Sequence, residues 1–205
     1  MDIRLNLINR SNDINHTRYV LFQKNLATDY GELAYAWKVV RNLGYGDHHP
    51  FVYSTDVKVS AEDAWGNFTP HIAASPGQAF QMTRTPSGDR LIAAGCAAST
   101  TEIDIRNSLL QGSINASVYR SGSLLARKTA VAPGQEAVFD FKPTLFIGAV
   151  SQVREGTAID SAVISTTNTE LSLLGIASAD IVVTGGGGGV NSTAFAFNME
   201  NVVMA

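Results

Sequence analysis

Apolar and polar residues alternate with a period of two over most of this chain. Ile3, Leu5 and Leu7 are separated by Arg4 and Asn6, which predicts a strand with one buried face. After the polar break "NRSNDINHT" (9–17) comes "RYVLFQ" (18–23). The break is rich in Asn, Asp and Ser, whose short side chains bond their own backbone and favour turns. "FVYSTDVKVSA" (51–61) predicts one long strand or two short ones, and "DAWGN" (63–67) a turn with Gly66 where positive φ costs little. "AFQMTRT" (79–85), the turn "PSGD" (86–89) and "RLIAAG" (90–95) continue the series. Short strands punctuated about every 8–12 residues predict a sandwich or barrel.

The pattern is clearest over 112–141, "GSINASVYRSGSLLARKTAVAPGQEAVFDF". Three strands separated by "RSGS" and "APGQ" predict an antiparallel meander, with Pro-Gly placed for a type II turn. The same Pro-Gly-Gln stands before Phe80 in "AASPGQAFQM" (73–82), which hints at two related β units. The meander resembles the small immunoglobulin-like modules of bacterial surface proteins, in which a turn of this kind precedes a strand. That resemblance covers about thirty residues and implies a fold, without bringing functional residues with it. One segment is ambiguous. In "ATDYGELAYAWKVVRNLGYG" (27–46), Asp29 and Glu32 are spaced as a capping box before Leu33, Trp37 and Val40, predicting a short helix near 29–43. Leu33, Tyr35, Trp37 and Val39 also alternate as in a strand, and the two readings balance. The fold expected is all-β: a single domain over 1–205, an antiparallel two-sheet β-sandwich, immunoglobulin-like or jelly-roll-like, with at most that one helix.

Composition has two readings of equal weight: a lean toward self-association, or the ordinary low charge of β-rich proteins with Ser/Thr-studded strands. Hydrophobic residues make up 45% of the 205, but charged residues only 16%, against about 25% in ordinary soluble domains. The net charge is -3, so little repulsion keeps copies apart. The C-terminal third is poor in charge and strand-like to its end, "AFAFNMENVVMA", and uncharged sheet edges are prone to pair with another chain. The 15 Lys and Arg are mostly single, whereas nucleic-acid binding needs a concentrated basic face; Arg127-Lys128 reads as a solvated strand position. Cys96, the sole cysteine, lies among small apolar residues and is expected to be a buried structural thiol. No apolar h-region opens the chain and no apolar run reaches the ~18 residues of a membrane helix. Cytoplasmic synthesis is expected, with later release or a surface location left open. The Asn-x-Ser/Thr sequons at Asn9, Asn15, Asn67, Asn115 and Asn191 are read as chance occurrences in so Asn/Ser/Thr-rich a chain.

Candidate chemistry is sparse. "TGGGGGV" (184–190) lacks the Lys and the following helix of a phosphate loop, and reads as a flexible hairpin loop between "ADIVV" and "STAFAF", with close backbone packing against a neighbouring copy as the secondary reading. Asp47, His48 and His49 in "GYGDHHPF" (44–51) are suitable ligand types for zinc or iron. Adjacent histidines point apart in an extended segment, and only His71 and His16 remain as further imidazoles. No metal or other cofactor, and no catalytic residue, is therefore expected. No Gly-x-Ser-x-Gly elbow occurs. Trp37, Tyr45, Phe51, Tyr53, Trp65 and Phe68 crowd the first third; most are expected in the core, with Trp65 the best candidate for exposure. The contact surface expected is Tyr45, His48, His49 and Trp65. Three functions follow in order: a non-enzymatic structural protein that associates with itself, a module binding a carbohydrate or membrane surface through loop aromatics, and last a metal-dependent enzyme built on 47–49.

Overall fold

The computed structural model describes residues 2–14, 17–27, 33–159 and 168–205. Their regular structure is strand, with one 3-10 turn at Gly189–Asn191 and no α-helix. They fall into two compact units: unit 1 within 1–23, 33–55 and 143–205, and unit 2 within 24–32 and 56–142. Unit 1 holds β1 (Asp2–Asn9), β2 (Arg18–Phe22), β3 (Lys38–Val40), β4 (His48–Ser54), β13 (Thr144–Val150), β14 (Asn168–Ser172), β15 (Ile176–Gly186) and β16 (Thr193–Met204). Unit 2 holds β5 (Val57–Glu62), β6 (Ile72–Ala74), β7 (Gln78–Thr85), β8 (Gly88–Cys96), β9 (Glu102–Asn107), β10 (Ile114–Arg120), β11 (Ser123–Val131) and β12 (Glu136–Asp140).

The all-β expectation holds, but the strands form four four-stranded sheets where two were expected. Unit 1 contains β16-β15-β1-β4 and β14-β13-β2-β3; unit 2 contains β11-β10-β5-β6 and β12-β9-β7-β8. The strands are not all antiparallel either: β1 with β15, and β7 with β9, are parallel. Alternation reveals that a strand has one buried face and carries no label for its partner. In unit 1, Leu5 and Leu7 of β1 are buried, and Tyr19 of β2 meets Phe197 of β16 edge to face at 6.1 Å. Trp37 packs against Phe51 and Tyr53 of β4 at 6.2 and 5.9 Å. In unit 2 the buried faces are Val57, Val59 and Ala61 of β5, Phe80 and Met82 of β7, Ile103 and Ile105 of β9, and Phe139 of β12.

The two units share one strand plan in different chain order. Unit 2 runs from β5 to β12; unit 1 follows the same plan when read from β13 to β16 and then β1 to β4. First pairs second (β5–β6, β13–β14), first pairs sixth (β5–β10, β13–β2) and sixth pairs seventh (β10–β11, β2–β3), all antiparallel. Third pairs fourth antiparallel (β7–β8, β15–β16), third pairs fifth in parallel (β7–β9, β15–β1), and fifth pairs eighth antiparallel (β9–β12, β1–β4). All six ladders agree in partner and direction.

The equivalence extends to single hydrogen bonds. Asn107, the last residue of β9, is buried; its amide donates to Val131 O at 2.9 Å and its Oδ1 accepts from Leu109 N at 3.1 Å. Asn9, the last residue of β1, is buried; it donates to Leu43 O at 2.6 Å and accepts from Ser11 N at 2.8 Å. Each also bonds a four-residue turn, Ala132–Gln135 or Gly44–Asp47. Asn107 N donates to Gln135 O and Gly134 N to Asn107 O; Asn9 N donates to Asp47 O and Gly46 N to Asn9 O. In both turns the fourth residue's side chain accepts from the first residue's N–H: Gln135 Oε1 from Ala132 at 3.1 Å, Asp47 Oδ2 from Gly44 at 2.9 Å. Gly134 and Gly46 take the third position, at φ 81° and 82°, which glycine alone adopts without strain.

Several expectations are corrected here. Asp29 and Glu32 lie outside the described residues, and the described part of the expected helix, 33–43, forms no helix and contains β3. Its backbone groups pair with another segment: Ala36 N donates to Thr157 O, while the carbonyls of Ala34 and Ala36 accept from Ile159 N and Gly156 N. Tertiary pairing thus outweighs the local cap signals. The meander breaks after its second strand, because β12 leaves β11 and pairs with β9. Both Pro-Gly-Gln turns lie in unit 2, and each sends its strand along a flank of β9. Cys96 is exposed, since β8 is an edge strand uncovered from Ile92 onward. Arg127 is not simply solvated: it is ion-paired with Glu62.

Candidate functional site

The Trp65 loop of unit 2 is held rigidly by Asp63. Its Oδ1 accepts from Trp65 N at 2.8 Å and Asn67 N at 2.9 Å, and its Oδ2 accepts from Asn67 Nδ2 at 2.9 Å. Asp63 N donates to Asn67 O and Gly66 N to Asp63 O. These bonds, led by that from the Asn67 side chain, hold the Asp63 carboxyl below the ordinary aspartate range. The anion therefore persists in mild acid and keeps the loop folded. Its product is an indole 86% exposed, with Phe68 at 59% nearby in the chain.

Beside the indole is a cleft of about 260 Å³ lined by Asp63, Ala64, Trp65, Arg84, Asp89, Leu109, Gln111 and Gly112. Arg84 and Asp89 face each other across the β7–β8 hairpin. The guanidinium meets the carboxylate through both Nε and Nη2, the latter at 3.2 Å. Such a fork holds planar donors and acceptors in a fixed orientation. The cleft thus brings together an exposed aromatic face, a fixed charged fork and the Gln111 side chain. The cleft falls just under the usual range of about 300–1,000 Å³ for ligand sites, a size for one ring.

The other expected contact residues lie in unit 1. Tyr45 is 76% exposed at the second position of the Gly44–Asp47 turn. Asp47 builds that turn with its carboxylate. His48 and His49 are consecutive in β4, so their side chains leave opposite faces of the sheet. His48 is exposed; His49 is half-buried, and burial followed by the charge of Lys38 lowers its pKa. His71 stacks on Tyr119 at 4.2 Å in unit 2, and His16 lies outside the described residues. Among the described residues no group of three or more His, Cys, Asp or Glu is arranged to hold a metal ion. Trp37, Phe51 and Tyr53 belong to the core.

A feature without a local sequence signal is a cavity of about 610 Å³ in unit 1, lined by Arg18, Arg41, Gln152, Val153, Arg154, Thr157 and Ala158. Its three arginines are isolated in the sequence and converge only in the fold. No family model, no curated protein and no solved structure matches the chain.

Proposed function

We propose that this protein is a non-enzymatic, self-associating building block made of two-sheet sandwich units, in which β13–β16 of one copy complete β1–β4 of another. The observation that carries this reading is the shared strand plan. In unit 2 the two halves of the plan, β5–β8 and β9–β12, follow each other in the chain. In unit 1 the corresponding halves are β13–β16 and β1–β4, with the whole of β5–β12 between them in sequence. They meet in the central ladder of each sheet, β15 with β1 and β13 with β2, and across the buried faces. Those groups match equally well when a second copy supplies the C-terminal half, which is the low-cost geometry of exchange between identical chains. The hinge is Phe141-Lys142-Pro143, between β12 and β13. Closure within one chain competes at an effective concentration on the order of mM, so exchange is favoured where the protein is concentrated or folds beside its copies. The exposed edge of β8 adds a second adhesive surface, with no charge from Leu91 to Thr101.

Asn6 and Asp180 are ladder partners joined by a 3.1 Å hydrogen bond, so they report on exchange. A Cys96→Ser chain with Asn6→Cys is mixed at high concentration with a Cys96→Ser chain carrying Asp180→Cys, then oxidised. A covalent heterodimer is the expected product. The double-cysteine chain, which closes on itself, serves as the positive control, since neighbouring strands about 4.8 Å apart allow a disulfide. Oligomers in sedimentation without this cross-link would move the contact to the sheet edges. Monomers at every concentration would end the self-association reading.

A second reading, a glycan-binding module, is favoured by the Trp65 cleft alone. Trp65→Ala is expected to lower affinity for a bound oligosaccharide by about tenfold or more, the ring contact being worth about 1–2 kcal/mol, with thermal stability unchanged. A glycan array with wild type and variant checks this. Signal on lipid vesicles in place of glycans would assign Trp65 and Phe68 to a membrane surface.

A further inference from the structure

We infer that the arginine cavity of unit 1 is a binding site for an oxyanion, a phosphate or sulfate ester. Arg18 begins β2, Arg41 follows β3 and Arg154 lies in the segment after β13; all three line one concavity with Gln152 and Thr157. Arg18 is positioned from within the fold, its Nη1 donating to Val153 O at 3.1 Å. Among the described residues, Arg41 and Arg154 carry no side-chain hydrogen bond or ion pair, and no carboxylate lines the cavity. The neighbouring acid, Glu155, is not among the lining residues, and its Oε2 accepts from Val39 N at 3.4 Å. Three guanidiniums brought together with no carboxylate among the described lining residues repel one another, and a multivalent oxyanion both relieves that repulsion and accepts their forked donors. Arginine in this role matches tetrahedral and planar oxyanions better than it matches chloride.

The site also spans a joint in the fold. Arg18 and Arg41 belong to the N-terminal half of unit 1, while Gln152, Arg154 and Thr157 belong to the C-terminal half. An anion held by all three arginines therefore ties the halves together, whichever chain supplies β13–β16, and the site does not depend on the self-association reading. By linkage, a ligand bound only when the halves are joined stabilises unit 1.

The test is calorimetric titration of the full chain at low ionic strength with inorganic phosphate and with inorganic sulfate, alongside thermal unfolding in each. Saturable binding that raises the unfolding temperature and weakens with added sodium chloride is expected. Arg41→Gln with Arg154→Gln is expected to weaken it by about a hundredfold, each charge-assisted contact being worth about tenfold, while unfolding without anion is unchanged or occurs at a higher temperature. A sugar monophosphate and a sugar monosulfate then distinguish the ester class. No saturable heat with phosphate or sulfate, or equal binding by the double variant, would overturn the inference.

Discussion

Gly185→Ala is expected to abolish the native β15–β16 hairpin, the largest single-residue effect in the molecule. A Cβ at this position falls 2.0 Å from the carbonyl oxygen of Ala194 and 2.9 Å from its carbon. Those are backbone atoms of the paired strand, so no side-chain rotation relieves the overlap. Residue 185 also sits at φ 84°, a conformation that costs an L-residue about 1–2 kcal/mol by itself. The combined cost exceeds about 4 kcal/mol, in the range reserved for backbone strain and overpacking, and is comparable with the whole stability of a small domain. Gly189→Ala is the control. Its φ is 69°, but nothing lies within 4 Å of the added atom, so it loses only about 1–2 kcal/mol. Urea unfolding of both variants checks the prediction; equal losses would mean that the close approach to Ala194 yields at little cost. The run "TGGGGGV" is thus only partly a loop. Its first two glycines are the end of β15, and they are glycine because the partner strand occupies the space of a side chain.

Asn107→Ala is expected to lower the stability of unit 2 by about 3 kcal/mol. The side chain is fully buried and closes three bonds, to Gly112 O and Val131 O at 2.9 Å each and from Leu109 N at 3.1 Å. Val131 and Leu109 are themselves buried, so water does not readily replace the lost partner, and each orphaned group costs about 1–3 kcal/mol. Asn107→Asp separates hydrogen bonding from shape. It retains the acceptor for Leu109 but aims a carboxylate oxygen at two carbonyls, and is expected to destabilise at least as much as alanine near neutral pH. Protonation then restores a donor, so its stability recovers in part as pH falls. Denaturation of both variants across pH measures this, and a pH-independent Asn107→Asp would show that the amide fills space without bonding. Asn9→Ala has the same sign in unit 1, through Leu43 O and Ser11 N.

The legibility of each element follows from how local its cause is. Ile3, Leu5 and Leu7 announce β1 because a strand's buried face is written every second residue. The turns at Pro76-Gly77, Gly66 and Pro133-Gly134 are equally plain, being set by the φ range of one or two residues. Exposure of Trp65 was legible for the same reason, since a five-residue turn leaves its middle residue few ways to be buried. The Pro-Gly-Gln match was visible but pointed to the wrong pair. The structural counterpart of Ala132–Gln135 is Gly44–Asp47, which shares with it only a glycine at the third position and a side-chain acceptor at the fourth. Asp47, first met beside two histidines as a metal ligand, is that acceptor. The pairing of 33–37 was hidden because its partners, 156–159, lie more than a hundred residues away.

The sequence by itself determined that this protein is built of short strands, where most of them turn, and that few charges guard its surface. Those properties depend on neighbouring residues and on composition. Only the tertiary structure decided that the strands form four sheets, that one strand plan is used twice, and that Arg18, Arg41 and Arg154 share a cavity. The physical reason is that a period-two pattern encodes a face and not a partner. Which strands pair is settled by closing long loops around a common core, where the gain in burial offsets the entropy of closure.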